Sequence, residues 1–186
     1  HKIFVTGLDS LAQGESIGKL KRAMKKTHEK SLVNFFKSKK FIPEKYAEDK
    51  WNTIDKLNGW GYRDALLVKD SIVTLDPKHV DIYLDYDMGQ KYYVRNINWV
   101  GNTVYTTDQL SSVLKMQRGD VYDQQFMSKR LNEDEDAIGK EYYNNGYVFY
   151  RLDPVEVNVE ADSVDLEMRI YEGRQATLNH IRISGN

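Results

Sequence analysis

Val164-Asp165-Leu166-Glu167-Met168-Arg169-Ile170 alternates apolar with polar side chains. Successive side chains of an extended strand point to opposite faces, so this stretch predicts a strand with one buried and one wet face. The same alternation stands 84 positions earlier, at Val80-Asp81-Ile82-Tyr83-Leu84-Asp85-Tyr86. A sheet with one buried face needs a second layer to cover it.

The surroundings of the two stretches also repeat. Upstream lie Gly61-Tyr62 and Gly146-Tyr147, 85 positions apart, and downstream lie the turn glycines Gly89 and Gly173. Next come strands ending in Gly-Asn, at Ile97-Asn98-Trp99-Val100-Gly101-Asn102 and Ile181-Arg182-Ile183-Ser184-Gly185-Asn186. Ile3-Phe4-Val5-Thr6-Gly7 resembles that strand. The repeating unit therefore reads strand, helix, helix, strand, strand. In the second copy the first strand falls at about 91–100, and Thr106 with Gln109 makes a capping box for the first helix. Leu110, Val113 and Leu114 give that helix an apolar stripe. Asp123 is placed to cap the second helix, where Met127, Leu131, Ile138 and Tyr142 recur at helical spacing until Asn144-Asn145-Gly146 stops it. Glu160-Ala161-Asp162-Ser163 is the turn before the last strand.

In the first copy the glycine spacing is longer, 54 positions from Gly7 to Gly61 against 45 from Gly101 to Gly146. The extra residues fall in a basic, aromatic stretch within 25–41 that includes Lys25, Lys26, Lys30, Phe35, Phe36, Lys37, Lys39, Lys40 and Phe41. Its bland reading is a solvated helix with Phe35 and Phe36 in the core. Pro43 suits the first turn of the next helix, on which Ala47, Trp51 and Ile54 are expected to face the core. The second strands are expected at Arg63–Thr74 and Val148–Glu160. The fold class is α+β: tandem β-α-α-β-β modules at 1–89 and 90–174, each a three-stranded mixed sheet covered on one face by two helices, then the first strand of a further module at 175–186. The link Asp87-Met88-Gly89-Gln90 is too short for a free tether, and the outer ends read as cuts inside a longer protein.

Composition narrows the function. The 186 residues carry a net charge of −1, which gives no global case for nucleic acid. There is no cysteine, so neither a disulfide scaffold nor a thiolate metal site is available. No apolar run approaches the roughly 18–20 residues of a membrane-spanning helix. His1, His28, His79 and His180 lack metal-type spacing, and Glu133-Asp134-Glu135-Asp136 on a helix would point its carboxylates apart. Nothing proposes a mutually placed acid, base or nucleophile. The reading is therefore no enzyme, no cofactor and no metal.

The residues that carry a resemblance are Gly101-Asn102, Gly119-Asp120-Val121-Tyr122-Asp123, Tyr142-Tyr143-Asn144-Asn145-Gly146-Tyr147, Val164-Asp165-Leu166 and Glu172-Gly173. In this order, and in tandem, they resemble POTRA domains, the polypeptide-transport-associated modules of BamA-type outer-membrane barrel-assembly factors. The resemblance implies a central third strand with the first and second strands as edges. It also implies a periplasmic scaffold or chaperone-like arm of an outer-membrane protein, with strand addition as its binding mode. The implied partner-binding residues are Leu66, Leu67, Val68 and Lys69, and Val148, Phe149, Tyr150, Arg151 and Leu152. The implied partners are unfolded outer-membrane proteins, accessory lipoproteins of the assembly machinery and a C-terminal membrane barrel of the same chain. Pro154 fits an edge strand and would divide any ladder formed there. Two alternatives stand beside this reading: the POTRA arm of a two-partner secretion transporter, and a small α+β enzyme or nucleic-acid-binding module. A KH-type binder would need a Gly-x-x-Gly loop between its helices, and none sits there.

Overall fold

The computed structural model describes residues 2–8, 11–27, 29, 41–77 and 79–177. The elements run β1 (Ile3–Thr6), α1 (Ile17–Ala23), α2 (Pro43–Asn58), β2 (Leu66–Asp76) and β3 (His79–Asp87). They continue with β4 (Tyr93–Val100), α3 (Thr107–Leu114) and α4 (Gln124–Ser128), which passes into a π-helical turn (Lys129–Glu133). The chain then forms α5 (Ile138–Asn144), β5 (Arg151–Glu160) and β6 (Ser163–Tyr171). Contacts divide it into two compact units, His1–Tyr92 with Val121–Gln125, and Tyr93–Asp120 with Phe126–Asn186. No helix among the described residues is long and apolar enough to cross a membrane.

Both sheets have the same topology, β1-β3-β2 and β4-β6-β5. The first and last strands of each unit pair in parallel, and the second and last pair antiparallel. A helical layer separates the first strand from its partner, which is what a parallel pair requires, whereas a short turn joins the antiparallel pair. On β6, Val164, Leu166, Met168 and Ile170 are buried as the alternation demands, and on β3 so are Ile82, Leu84 and Tyr86. Gly7 and Gly101 sit at matching places after the first strand, both at positive φ (77° and 89°). A Cβ on either would lie 1.8 Å from the Tyr86 carbonyl oxygen or 2.1 Å from that of Ile170, so only glycine lets the strand leave the sheet there.

The first core gathers Leu20 of α1, Tyr46 and Leu57 of α2, and Ile3, Ile82, Leu84 and Tyr86 from the sheet. The expected core face of α2 is wrong by about one residue of helical phase. Ala47 is exposed and Trp51 is 71% exposed, while Ile54 is half-buried and packs against the core as expected; the fully buried residues are Tyr46, Asp49, Thr53 and Leu57. Polar groups can occupy that face because each finds a partner. The Asp49 carboxylate accepts the backbone N–H groups of Lys26 (3.0 Å) and Thr27 (2.6 Å) just beyond α1. The Thr53 and Tyr86 hydroxyls share a 2.7 Å hydrogen bond. Burial pushes the Tyr86 phenol up to about 12.

In the second unit the Thr106–Gln109 capping box forms, and Leu110 and Leu114 are buried. Met127, Leu131, Ile138 and Tyr142 are buried as expected, but they lie on two helices rather than one. The break centres on buried Arg130. Its Nε donates to the Val113 carbonyl (2.8 Å) at the end of α3, and its terminal nitrogens reach Asp134 (3.0 Å) and Asp136 (2.5 Å). Two of the four consecutive acids therefore hold a guanidinium. Glu172, just after β6, closes the opposite end. Its carboxylate accepts from the backbone N–H of Thr103 (2.8 Å) and Val104 (2.9 Å), from the Thr103 hydroxyl and from the Tyr142 hydroxyl (2.8 Å).

The chain leaves both units in the same way. The Tyr92 N–H donates to the Gly61 carbonyl (2.9 Å), and the Ala176 N–H to the Gly146 carbonyl (2.8 Å). The expected strand at 175–186 lies largely outside the described residues; 175–177 are not in a strand. His1, His28, His180 and residues 30–40, with Phe35 and Phe36, also lie outside them.

Candidate functional site

An edge strand displays backbone N–H and C=O groups that another chain can pair with. In the first sheet β2 is such an edge, with β3 as its only neighbour among the described residues. Bulges at Val68 and Leu75 bracket a regular run from Lys69 to Thr74, paired with Asp85 through Val80. Edge strands are normally defended by charge, proline or shortness. Here β2 is eleven residues long, has no proline, and exposes Leu66, Val68 (59%), Ile72, Val73 and Leu75 (60%). One of its charges is already engaged: the Asp70 carboxylate accepts from Lys50 (2.9 Å) and from the Tyr46 hydroxyl (3.2 Å), both on α2. The hydrogen bond from Lys50 holds the Asp70 carboxyl below its ordinary range. On the outer face beside the run, Phe4 and Tyr83 stack at 4.8 Å above a shallow cavity of about 250 Å³ that Lys69, Ser71 and Asp85 complete.

The second sheet's edge, β5, is defended. Pro154 stands opposite Met168 and offers no N–H. Val157 sits in a bulge, and Arg151, Asp153, Glu156 and Glu160 distribute charge along the strand. Arg151 and Asp153 pair at 2.7 Å, while Glu160 and Asp165 hold Arg95 of β4.

Residues 92–173 match the family described as POTRA, surface antigen variable number repeat. Residues 92–173 are a POTRA domain. A Treponema pallidum protein named for outer membrane protein assembly is 25% identical over 156 residues, 84% of this chain and 17% of its own length. The outer membrane protein assembly factor BamA of Neorickettsia risticii is 24% identical over 141 residues, 71% of this chain and 19% of its own. The chain thus spans less than a fifth of these relatives. The crystal structure of POTRA domains 3–5 of Haemophilus influenzae BamA matches the whole chain and 70% of that structure, with a TM-score of 0.68 at 20% identity. That likeness gives the first unit the POTRA fold as well.

The expected contact residues fall unevenly on the two POTRA edges. Strand β2 begins at Leu66 rather than Arg63 and runs on to Asp76, so Leu66, Leu67, Val68 and Lys69 occupy only its first part. Leu67 packs against the core, leaving Leu66, Val68 and Lys69 outward. The more regular run, Lys69–Thr74, lies mostly beyond them and exposes Ile72 and Val73; two apolar residues in six gave the sequence no signal for it.

In the second POTRA unit β5 begins at Arg151, so Val148, Phe149 and Tyr150 precede the strand. Val148 and Phe149 are exposed in a turn. Tyr150 stacks on buried Tyr142 at 4.2 Å, and burial pushes its phenol up, so it belongs with the core. Of the five expected there, Arg151 and Leu152 alone lie on the edge strand, and Leu152 is half-buried opposite Ile170. Among the described residues no three His, Cys, Asp or Glu side chains are grouped to hold a metal ion.

Proposed function

We propose that this chain is a periplasmic scaffold or chaperone-like arm of an outer-membrane barrel-assembly factor of the BamA type, and that it receives extended segments of unfolded outer-membrane proteins along β2. The supporting observation is the length of apolar, proline-free edge on β2. Strand addition there gains backbone hydrogen bonds irrespective of sequence, and Ile72, Val73 and their neighbours add apolar contact. Under this reading the arm has no catalytic role. Modules run 1–89 and 90–174, with 175–186 opening a third. Its other partners are accessory lipoproteins and the membrane barrel of the same chain.

Titration of the isotope-labelled chain with a ten-residue strand peptide from an outer-membrane protein tests the reading by NMR. Amides of residues 69–74 should shift most, and those of 151–160 less. Adjacent strand residues aim their N–H groups in opposite directions. Of Ile72→Pro and Val73→Pro, the one that keeps the β2–β3 ladder should therefore remove the response. Shifts scattered over the surface, or undiminished by that proline, would refute strand addition at β2.

A further inference from the structure

Trp51 is the feature of α2 that the fold does not use. It is 71% exposed, whereas the helix packs through Tyr46, Asp49, Thr53 and Leu57. Tryptophan is among the side chains that gain most from leaving water, and it is enriched at the energetic centres of protein interfaces. Its neighbourhood on the helix is specific. At 3.6 residues per turn, the positions within roughly 60° of Trp51 include Glu44, Glu48 and Asp55 toward one side and Ala47 and half-buried Ile54 toward the other. Lys45, Lys50 and Lys56 all lie roughly 100° or more away. Two of these are engaged elsewhere: Lys50 binds Asp70, and the Lys56 ammonium lies 5.3 Å from the centre of the Trp60 ring. Among the described residues none of Glu44, Glu48 and Asp55 is in an ion pair.

We propose that this face of α2 is a second interaction surface, for a folded protein partner that offers an apolar pocket for the Trp51 indole rimmed by arginine or lysine. Three carboxylates around one indole, with no cation of α2 on that face, select a basic partner. The same charges repel anionic lipid surfaces and nucleic acid. An arginine at the pocket rim gains from the ring as well as from the carboxylates. The surface is separate from the β2 edge, so it stands whether or not strand addition holds.

The test is photo-crosslinking in the cells the protein comes from, using the full-length chain with p-benzoylphenylalanine at position 51, or at position 45 as a control on another face. The joined peptides are identified by mass spectrometry. An adduct at 51 and not at 45, mapping to a segment of another protein that bears lysine or arginine, supports the proposal. Its yield should fall about tenfold in the E44K/E48K/D55K background. Affinity for that purified partner should fall about tenfold or more in Trp51→Ala, whose melting temperature should match the parent's. No adduct, an adduct to lipid, to a second copy or to a segment without basic residues, or a yield indifferent to charge reversal would overturn it. So would a large loss of stability in Trp51→Ala, which would make the indole part of the fold.

Discussion

Glu172 binds three parts of the second unit through one carboxylate: the loop after β4, the end of β6 and α5. Burial pushes its carboxyl up, but the Thr103 hydroxyl, two backbone N–H groups and the Tyr142 hydroxyl outweigh that and hold it below the ordinary glutamate range. A depressed folded value means the contribution is complete above the unfolded value of about 4.3 and drains away as pH falls through the folded one. Glu172→Gln should cost about 1–3 kcal/mol at neutral pH. The gap to the parent should shrink by pH 3, as urea unfolding midpoints at the two pH values would show. Gly101 provides a second residue-scale prediction. Gly101 and Gly119 share a φ near 90°, but a Cβ at 119 meets nothing within 4 Å. Gly119→Ala should cost about 1–2 kcal/mol for the left-handed backbone alone. Gly101→Ala should cost more than 3 kcal/mol, roughly, because the strand must move as well; urea denaturation of both variants separates the two costs. The glycines were legible as turn residues in the repeat. Glu172 was not, because its donors come from residues 103, 104 and 142, which only folding brings to it.

At the scale of elements, α2 is where the sequence misleads. Counting apolar residues puts Ala47, Trp51 and Ile54 inward, while the helix turns Asp49 and Thr53 to the core and leaves Trp51 in water. The partners that permit this, the N–H groups of Lys26 and Thr27 and the Tyr86 hydroxyl, are more than twenty residues away. The two phases predict opposite mutational costs. Asp49→Ala should destabilise the first unit by about 1–3 kcal/mol by orphaning buried donors. Trp51→Ala should change stability by no more than about 0.5 kcal/mol, against the 3–5 kcal/mol expected of a core tryptophan. Chemical denaturation of the two variants distinguishes these cases. The break between α4 and α5 was hidden for a similar reason. The apolar spacing across it is helical, and the cause is the pairing of Arg130 with Asp134, Asp136 and the Val113 carbonyl.

Across the whole molecule, element order could be read from the alternation in β3 and β6 together with the repeated glycines, whereas the central place of the third strand was an implication of the POTRA resemblance. What distinguishes the two copies was harder to see. Both second strands looked alike as edges, and both carry bulges and charge, yet β2 has no proline and exposes five large apolar residues while β5 carries Pro154 and exposes two. Exposure decides between them, and exposure depends on which neighbours the edge lacks. Among the described residues the first core is built from its own unit. A chain unfolded in its second unit by Gly101→Ala should therefore keep the dispersed amide resonances of β2 and β3, and its response to a strand peptide, while resonances of β5 and β6 collapse.

The hydrogen bonds from Tyr92 to Gly61 and from Ala176 to Gly146 bear on how such arms can be taken apart. Each compact unit keeps hold of backbone beyond its turn glycine, at Tyr92 and at Ala176, so the seam of the repeat is not the seam of the architecture. Trimming at residue 89 would leave the Gly61 carbonyl without its donor and discard Tyr92, whose hydroxyl binds Asp64 at 2.6 Å. A dissected fragment should run past the repeat by three residues or so, into what the alternation alone would assign to the next module.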